Sequence, residues 1–200
     1  MDEYNVVVTG VGGQGVLFTS QVLGEAAVRE GFDTKVAEIH GMAQRGGAVT
    51  CDVRIGRNIY SPTIMERTAD MVIGLEPLEV LRALEYVHEG TTIVLNKAPV
   101  VPSSASLSDV KYPSMDAILI ELSRISKNIL AINARDIAMI AGNPAAQNVV
   151  MIGFISELGK LPMKSETLRK TVGDRNSLKY RDVNLKAFDL GVEECKRMVC

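Results

Sequence analysis

Apolar positions along this chain fall into two rhythms. Short β-rich runs occupy residues 4–9, 34–37, 71–75, 91–95 and 128–132. Between them, apolar residues recur at helical spacing. Residues 16–29 place Val16, Leu17, Val22, Leu23, Ala26 and Ala27 on one stripe, and Gly31 stops the pattern. The spacing predicts further helices over 77–87 (with Pro77 near its start) and 115–126. Residues 49–55 and 58–60 read as a hairpin around Gly56-Arg57, closed by Pro62. Beyond Arg135 the β signal disappears. Residues 137–141, 147–158, 165–172 and 183–199 all carry helical patterns. Alternation followed by helices predicts an α/β, three-layer, Rossmann-like domain with a mostly parallel sheet, an antiparallel hairpin and a helical C-terminal section. We expect one domain over 1–200, with the sheet in 1–135 and the helical part, 136–200, packed on it. The stretch 97–113, rich in Pro and Ser, is the one long irregular segment.

Composition narrows the function classes. The 200 residues are 46% hydrophobic and 23% charged, with a net charge of −2. No charge field points to nucleic acid or an anionic membrane. Trp is absent and aromatics make up 4%, so base-stacking platforms are not expected. The three cysteines, Cys51, Cys195 and Cys200, form no CxxC pair. They are too few for the four thiolates of an iron–sulfur cluster, and no disulfide framework is expected. The acidic segment 1–5 lacks the basic and apolar regions of a signal peptide, and no apolar run reaches membrane-spanning length. A cytoplasmic location is the expectation.

Two motifs carry the chemistry. Gly10-Val11-Gly12-Gly13-Gln14-Gly15 follows the first strand and opens the first helix. Such glycines permit a tight turn and close backbone approach to an anion at the helix N-terminus. The alternative is that they serve strand–helix packing alone. A dinucleotide site asks for an acid about 20 residues on. Glu38 stands too far along, and Asp33 falls before its strand. No Lys follows the glycines, which excludes a P-loop. The second motif is Glu38-Ile39-His40-Gly41-Met42-Ala43-Gln44-Arg45-Gly46-Gly47. It follows a strand and is expected at the carboxyl edge of the sheet, beside the glycine loop. It reads either as a rigid polar loop reaching a cofactor or neighbouring chain, or as a turn closed by a Glu38–Arg45 ion pair.

The remaining candidates read as structural. Cys51 suits a buried thiol better than a nucleophile paired with His40. His88 sits at a helix end, where a surface cap is expected. Glu76, Glu79, Glu85 and Glu89 read as a solvated face and not a metal site. The turn from Gly142 through Asn143, Pro144 and Gln147 to Asn148 punctuates two helices. No catalytic residue and no metal ligand is assigned to this chain.

Together the glycine loop and the polar loop resemble the gamma-type domain of the 2-oxoacid:ferredoxin oxidoreductases. The likeness extends through Val53-Arg54-Ile55-Gly56, Tyr60-Ser61-Pro62, Leu75-Glu76-Pro77, the 142–148 turn and 183–188. The His-Gly-Met-Ala-Gln-Arg form of the polar loop looks most like the arylpyruvate (indolepyruvate) branch. Pyruvate and 2-oxoglutarate members tend to carry a Phe- or Tyr-Gly-Pro version. The resemblance implies oxidative decarboxylation of a 2-oxoacid to an acyl-CoA, with electrons passing to ferredoxin. It implies that thiamine diphosphate and iron–sulfur clusters lie in a larger partner subunit, that coenzyme A is used by the holoenzyme, and that this chain is active only in that complex. Gly10, Gly12, Gly13, Gln14, Gly15, Glu38, His40, Gly41, Gln44, Arg45, Gly46 and Gly47 are carried over as a ligand or interface loop. Arg45 suits an anionic coenzyme or a substrate carboxylate. The competing readings are a stand-alone dinucleotide-binding module or NAD-dependent dehydrogenase, and a regulatory or scaffold domain.

Overall fold

The structure, a computed structural model, describes residues 3–40, 47–100, 112–175 and 178–199. Six strands form one mixed sheet: β1 (Glu3–Val11), β2 (Asp33–His40), β3 (Ala48–Gly56), β4 (Met71–Gly74), β5 (Thr92–Asn96) and β6 (Asn128–Ile132), in the order β2-β3-β1-β4-β5-β6. β1, β4, β5 and β6 run parallel. β3 is antiparallel both to β1 and to β2.

The sheet explains the apolar runs. Val6 and Val8 turn to one face and Val7 to the other, and all three are fully buried. A strand covered on both faces needs no polar alternation. One face is covered by α1 (Val16–Arg29), α4 (Ala134–Ala141), α5 (Gln147–Glu157), α6 (Ser165–Arg175) and α7 (Leu178–Val199). The other is covered by α2 (Pro77–Arg82) and α3 (Met115–Ser123). The expected three-layer α/β architecture and helical C-terminal section are present. α5 is buried from Asn148 to Ser156, held between the sheet and α7. Two glycines permit that closeness. A Cβ on Gly153 would stand 2.0 Å from the Phe188 carbonyl oxygen, and one on Gly191 would stand 2.2 Å from that of Val150.

The hairpin lies elsewhere than its turn signal indicates. Residues 58–60 form no strand; β3 pairs with β2, Glu38 opposite Cys51 and His40 opposite Val49. Pairing with two long neighbours outweighs a local Gly-Arg turn. The second strand is correspondingly longer than 34–37, and the 77–87 helix tightens to a 3-10 turn over Ala83–Tyr86. No helix among the described residues is long and apolar enough to cross a membrane.

Candidate functional site at the carboxyl edge of the sheet

The glycine loop leaves β1 at its carboxyl end and enters α1. Gly13 has φ +99° and Gly15 φ +87°, a backbone region closed to most side chains. Gly15 caps α1 without a side-chain bond, so the first N–H groups of the helix face the loop. An open depression of about 350 Å³ lies there, lined by Val11, Gly12, Gly13, Gly15, Val16, Leu17 and Val49. Its lining side chains are apolar and carry no charge.

Gln14 does not point into that depression. It is buried, and its Oε1 accepts from the Val11 N–H at 2.8 Å while its Nε2 donates to the Leu75 carbonyl at 3.0 Å. The Leu75 carbonyl also accepts from Asn96 Nδ2 at 3.4 Å, and that amide donates to Gln147 Oε1 at 2.9 Å. Asn96 Oδ1 accepts from Ala134 N–H at 3.1 Å. Three carboxamides therefore fill the carboxyl-end crevice between β1, β4 and β5. Gly10 is a close-packing glycine: a Cβ there would meet Gln14 Oε1 at 2.9 Å and Leu75 Cβ at 3.1 Å. Gly15 is pressed by the Asn148 side chain, 2.4 Å from where a Cβ would be. The 142–148 turn thus reaches the glycine loop, a meeting that spacing along the chain could not reveal.

The two motifs are neighbours in space. The Gly12 N–H donates to the Gly47 carbonyl at 2.9 Å, closing the far end of the polar loop onto the glycine loop. Glu38 is exposed near the end of β2, on the α1-covered face opposite Cys51. His40 ends β2. Gly41, Gln44, Arg45 and Gly46, and with them the Glu38–Arg45 pair, lie outside the described residues.

Two acids read as solvated are buried. Glu76 is 1% exposed. Its Oε2 caps α2 by accepting from Glu79 N–H, and its Oε1 accepts from Val100 N–H and the Tyr112 hydroxyl. One carboxylate thus pins both shoulders of the long irregular segment. Burial and this hydrogen bond push the Tyr112 phenol up. Glu79 is held by Arg82 at 2.8 Å, and burial pushes its carboxyl up. Cys51 is a buried thiol pushed up by desolvation, which suits packing and not nucleophilic attack. His88 is half-buried in the turn after Tyr86, and its Nδ1 accepts from the Gly90 N–H of that turn and not from a helix end.

The donor set does not fit the redox cofactors that the fold family implies. Three cysteines cannot supply four cluster ligands, and Cys51 and Cys195 are buried in the core. Among the described residues no cluster of His, Cys, Asp and Glu is arranged to hold a metal ion.

This architecture, with the glycine loop bonded to Gly47 at the carboxyl edge of the sheet, defines a Rossmann-like α/β domain. The model of the family described as pyruvate ferredoxin/flavodoxin oxidoreductase matches residues 5–194. The indolepyruvate oxidoreductase subunit IorB of Thermococcus kodakarensis is 38% identical over 204 residues, spanning 100% of this chain and 99% of that protein. Its namesake from Archaeoglobus fulgidus is 40% identical over 190 residues, 95% of this chain and 94% of that one. The keto/oxoacid ferredoxin oxidoreductase gamma subunit of Geobacter sulfurreducens shares the fold, with a TM-score of 0.70 at 21% identity over 97% of this chain and 99% of that one. The chain belongs to the pyruvate ferredoxin/flavodoxin oxidoreductase family, as a gamma-type subunit of a 2-oxoacid:ferredoxin oxidoreductase.

Proposed function

We propose that this chain is the small, cofactor-free subunit of an arylpyruvate-type oxidoreductase, with indolepyruvate as the representative substrate. The observation that carries this reading is the full-length identity of 38% to a protein named as an indolepyruvate oxidoreductase subunit. The polar loop 38–47 supports the same branch. In the reaction the 2-oxoacid carboxylate leaves as carbon dioxide, the acyl group passes to the coenzyme A thiol, and the released electron pair goes to ferredoxin. Thiamine diphosphate, iron–sulfur clusters and coenzyme A supply that chemistry in the holoenzyme; we assign the first two to a larger subunit, and the three cysteines here are too few to ligate a cluster. A cytoplasmic location follows from the same reading.

This chain's part is positional. The glycine loop and the end of β2 set the rim on which the 38–47 loop is mounted, with Gly12 and Gly47 as the joint. We assign that rim, including Glu38, His40, Gln44 and Arg45, to the subunit interface beside the active centre. A guanidinium at Arg45 suits the carboxylate of the substrate or a phosphate of the coenzyme.

Reconstitution tests the reading. The purified chain is expected to be colourless and inactive on indolepyruvate. With its large subunit it is expected to restore viologen or ferredoxin reduction that depends on coenzyme A. Arg45→Ala is expected to lower kcat/KM of the complex at least tenfold. Turnover by the isolated chain would overturn the reading; an Arg45→Ala complex with unchanged kcat/KM would remove that side chain from the mechanism.

A further inference from the structure

Two consecutive residues at the start of α5 reach the two ends of the glycine loop. Asn148 reaches the last residue directly, its side chain pressed against Gly15 where a Cβ would collide with it. Gln147 reaches the first part of the loop through Asn96. Its Oε1 accepts from Asn96 Nδ2 at 2.9 Å, and the same amide donates to the Leu75 carbonyl at 3.4 Å. Gln14 Nε2 donates to that carbonyl at 3.0 Å, and Gln14 Oε1 accepts from the Val11 N–H at 2.8 Å. Between these two holds, Gly12 is bonded to Gly47.

Asn96 is the hub of these bonds. It ends β5 and is fully buried. Its Oδ1 accepts from the Ala98 N–H at 3.3 Å and from the Ala134 N–H at 3.1 Å. Asn133, the residue before α4, makes no side-chain capping bond, so Asn96 supplies one to that helix from β5. A carboxamide has two donor hydrogens and two acceptor positions, and here all four are used. None is left for a ligand. Apolar groups replacing both partners of such a bond can be nearly neutral for stability. What a saturated polar network adds is direction. It fixes particular backbone atoms, here the Val11 nitrogen and the Leu75 carbonyl oxygen. The bonds also span the chain: 51 residues separate Asn96 from Gln147, and 61 separate Gln14 from Leu75.

We infer that Asn96 is a positioning residue for the reaction of the holoenzyme. Through Gln147 and Gln14 it sets the glycine loop against the start of α5, and the Gly12–Gly47 bond carries that setting to the rim beside the active centre. The inference rests on the subunit reading above. It adds a coupling between residues 10–15 and the 142–148 turn.

The test varies the outer link, because replacing Asn96 would also uncap α4. The full chain carrying Gln147→Ala, Gln147→Glu, Gln14→Ala or the Gln14→Ala/Gln147→Ala pair is combined with the full large subunit. Viologen reduction with indolepyruvate and coenzyme A gives kcat/KM, measured below the melting temperature of every variant. Gln147→Ala removes the acceptor and is expected to lower kcat/KM about tenfold, within the range that coupled networks reach. Gln147→Glu keeps an acceptor for Asn96 and is expected to restore most of that loss. The double variant is expected to be no worse than the poorer single variant, since both break one chain of bonds. Ser123→Ala, exposed on α3, is the control and is expected to match wild type. Wild-type kcat/KM in Gln147→Ala, a Gln147→Glu complex as impaired as Gln147→Ala, or losses that multiply in the double variant would each overturn the inference and leave the subunit reading standing. A wild-type pair that assembles no active complex would overturn both.

Discussion

The glycine loop invites a ligand at Gln14, and the structure gives that side chain a different task. Gln14→Ala separates the two. The substitution deletes the side-chain acceptor of the Val11 N–H and one donor to the Leu75 carbonyl. Asn96 still serves Leu75, so the stranded group is chiefly the Val11 N–H, at a buried strand end. One unsatisfied buried donor costs about 1–3 kcal/mol, and the lost methylene adds about 0.8 kcal/mol. The expected loss is about 2–4 kcal/mol, or a fall in Tm of about 4–16 °C for a domain of this size. Thermal and urea unfolding followed by circular dichroism measure it. Gln14→Glu sharpens the test. Its carboxyl still accepts from Val11, but ionised it sets an oxygen against the Leu75 carbonyl, while protonated it donates there. The folded carboxyl is therefore raised above its unfolded value. Its stabilising contribution is present in acid and lost as pH rises through the folded value, so this variant approaches wild type at low pH and departs from it at neutral pH. A Tm unchanged by Gln14→Ala, with loss of holoenzyme activity, would refute the brace and make Gln14 a contact residue.

Other perturbations follow from the same geometry. Burial raises the Asp52 carboxyl, so its contribution to stability is present below the unfolded value and lost as pH rises through the folded one. Asp52→Asn removes that loss; its advantage over wild type is expected to grow as pH rises from about 4 towards neutrality, and a constant difference in Tm across that range would contradict the account. Gly153→Ala places a methyl group against the Phe188 backbone on α7, which a rotamer change cannot relieve. It is expected to cost about 3 kcal/mol, read as a Tm lower by about 6–12 °C, and a melt within 1 °C of wild type would show that the two helices can separate freely.

Legibility in the sequence followed the range of the interactions. β1, β4 and β5 were readable because strands buried on both faces are continuous apolar runs, and α1 because one stripe of its surface meets the sheet. The β2–β3 pairing was not, because the Gly56-Arg57 signal is local while the register is set across the 38–47 loop. Ile59, read as strand, is instead a buried residue of the connection from β3 to β4, its N–H held by Asp33. Glu76 and Glu79 looked solvated because helical spacing reports only the helix; the partners that bury Glu76 include Tyr112, 36 residues downstream. Of the site, the juxtaposition of the two loops was legible, since both leave the carboxyl edge. The role of Gln14 was hidden by its partner Leu75, 61 residues away.

That last point bears on the dinucleotide reading. In open α/β sheets a nucleotide lies outside the carboxyl ends at the point where the connections diverge, with β2 beside β1 so that an acid at its end meets the ribose. Here the connections diverge between β1 and β4, and that crevice is filled by Gln14, Asn96 and Gln147. β3 is inserted between β1 and β2, moving the end of β2 a further strand spacing, about 4.8 Å, from the glycine loop. Asp33 is at the opposite end of the sheet, paired with Gly56 as Glu3 is, and is committed to Ile59 and Lys35. Neither acid stands where a ribose would need it. The positive φ of Gly13 and Gly15 and the crowding at Gly10 and Gly15 are then requirements of packing the loop under α1 and Asn148. A Rossmann-like frame that fills the crevice between β1 and β4 keeps the precision of the sheet edge, and the open space left there is the apolar depression beside the glycine loop. What holds that edge in place is the Gly12–Gly47 backbone bond and the Gln14 brace.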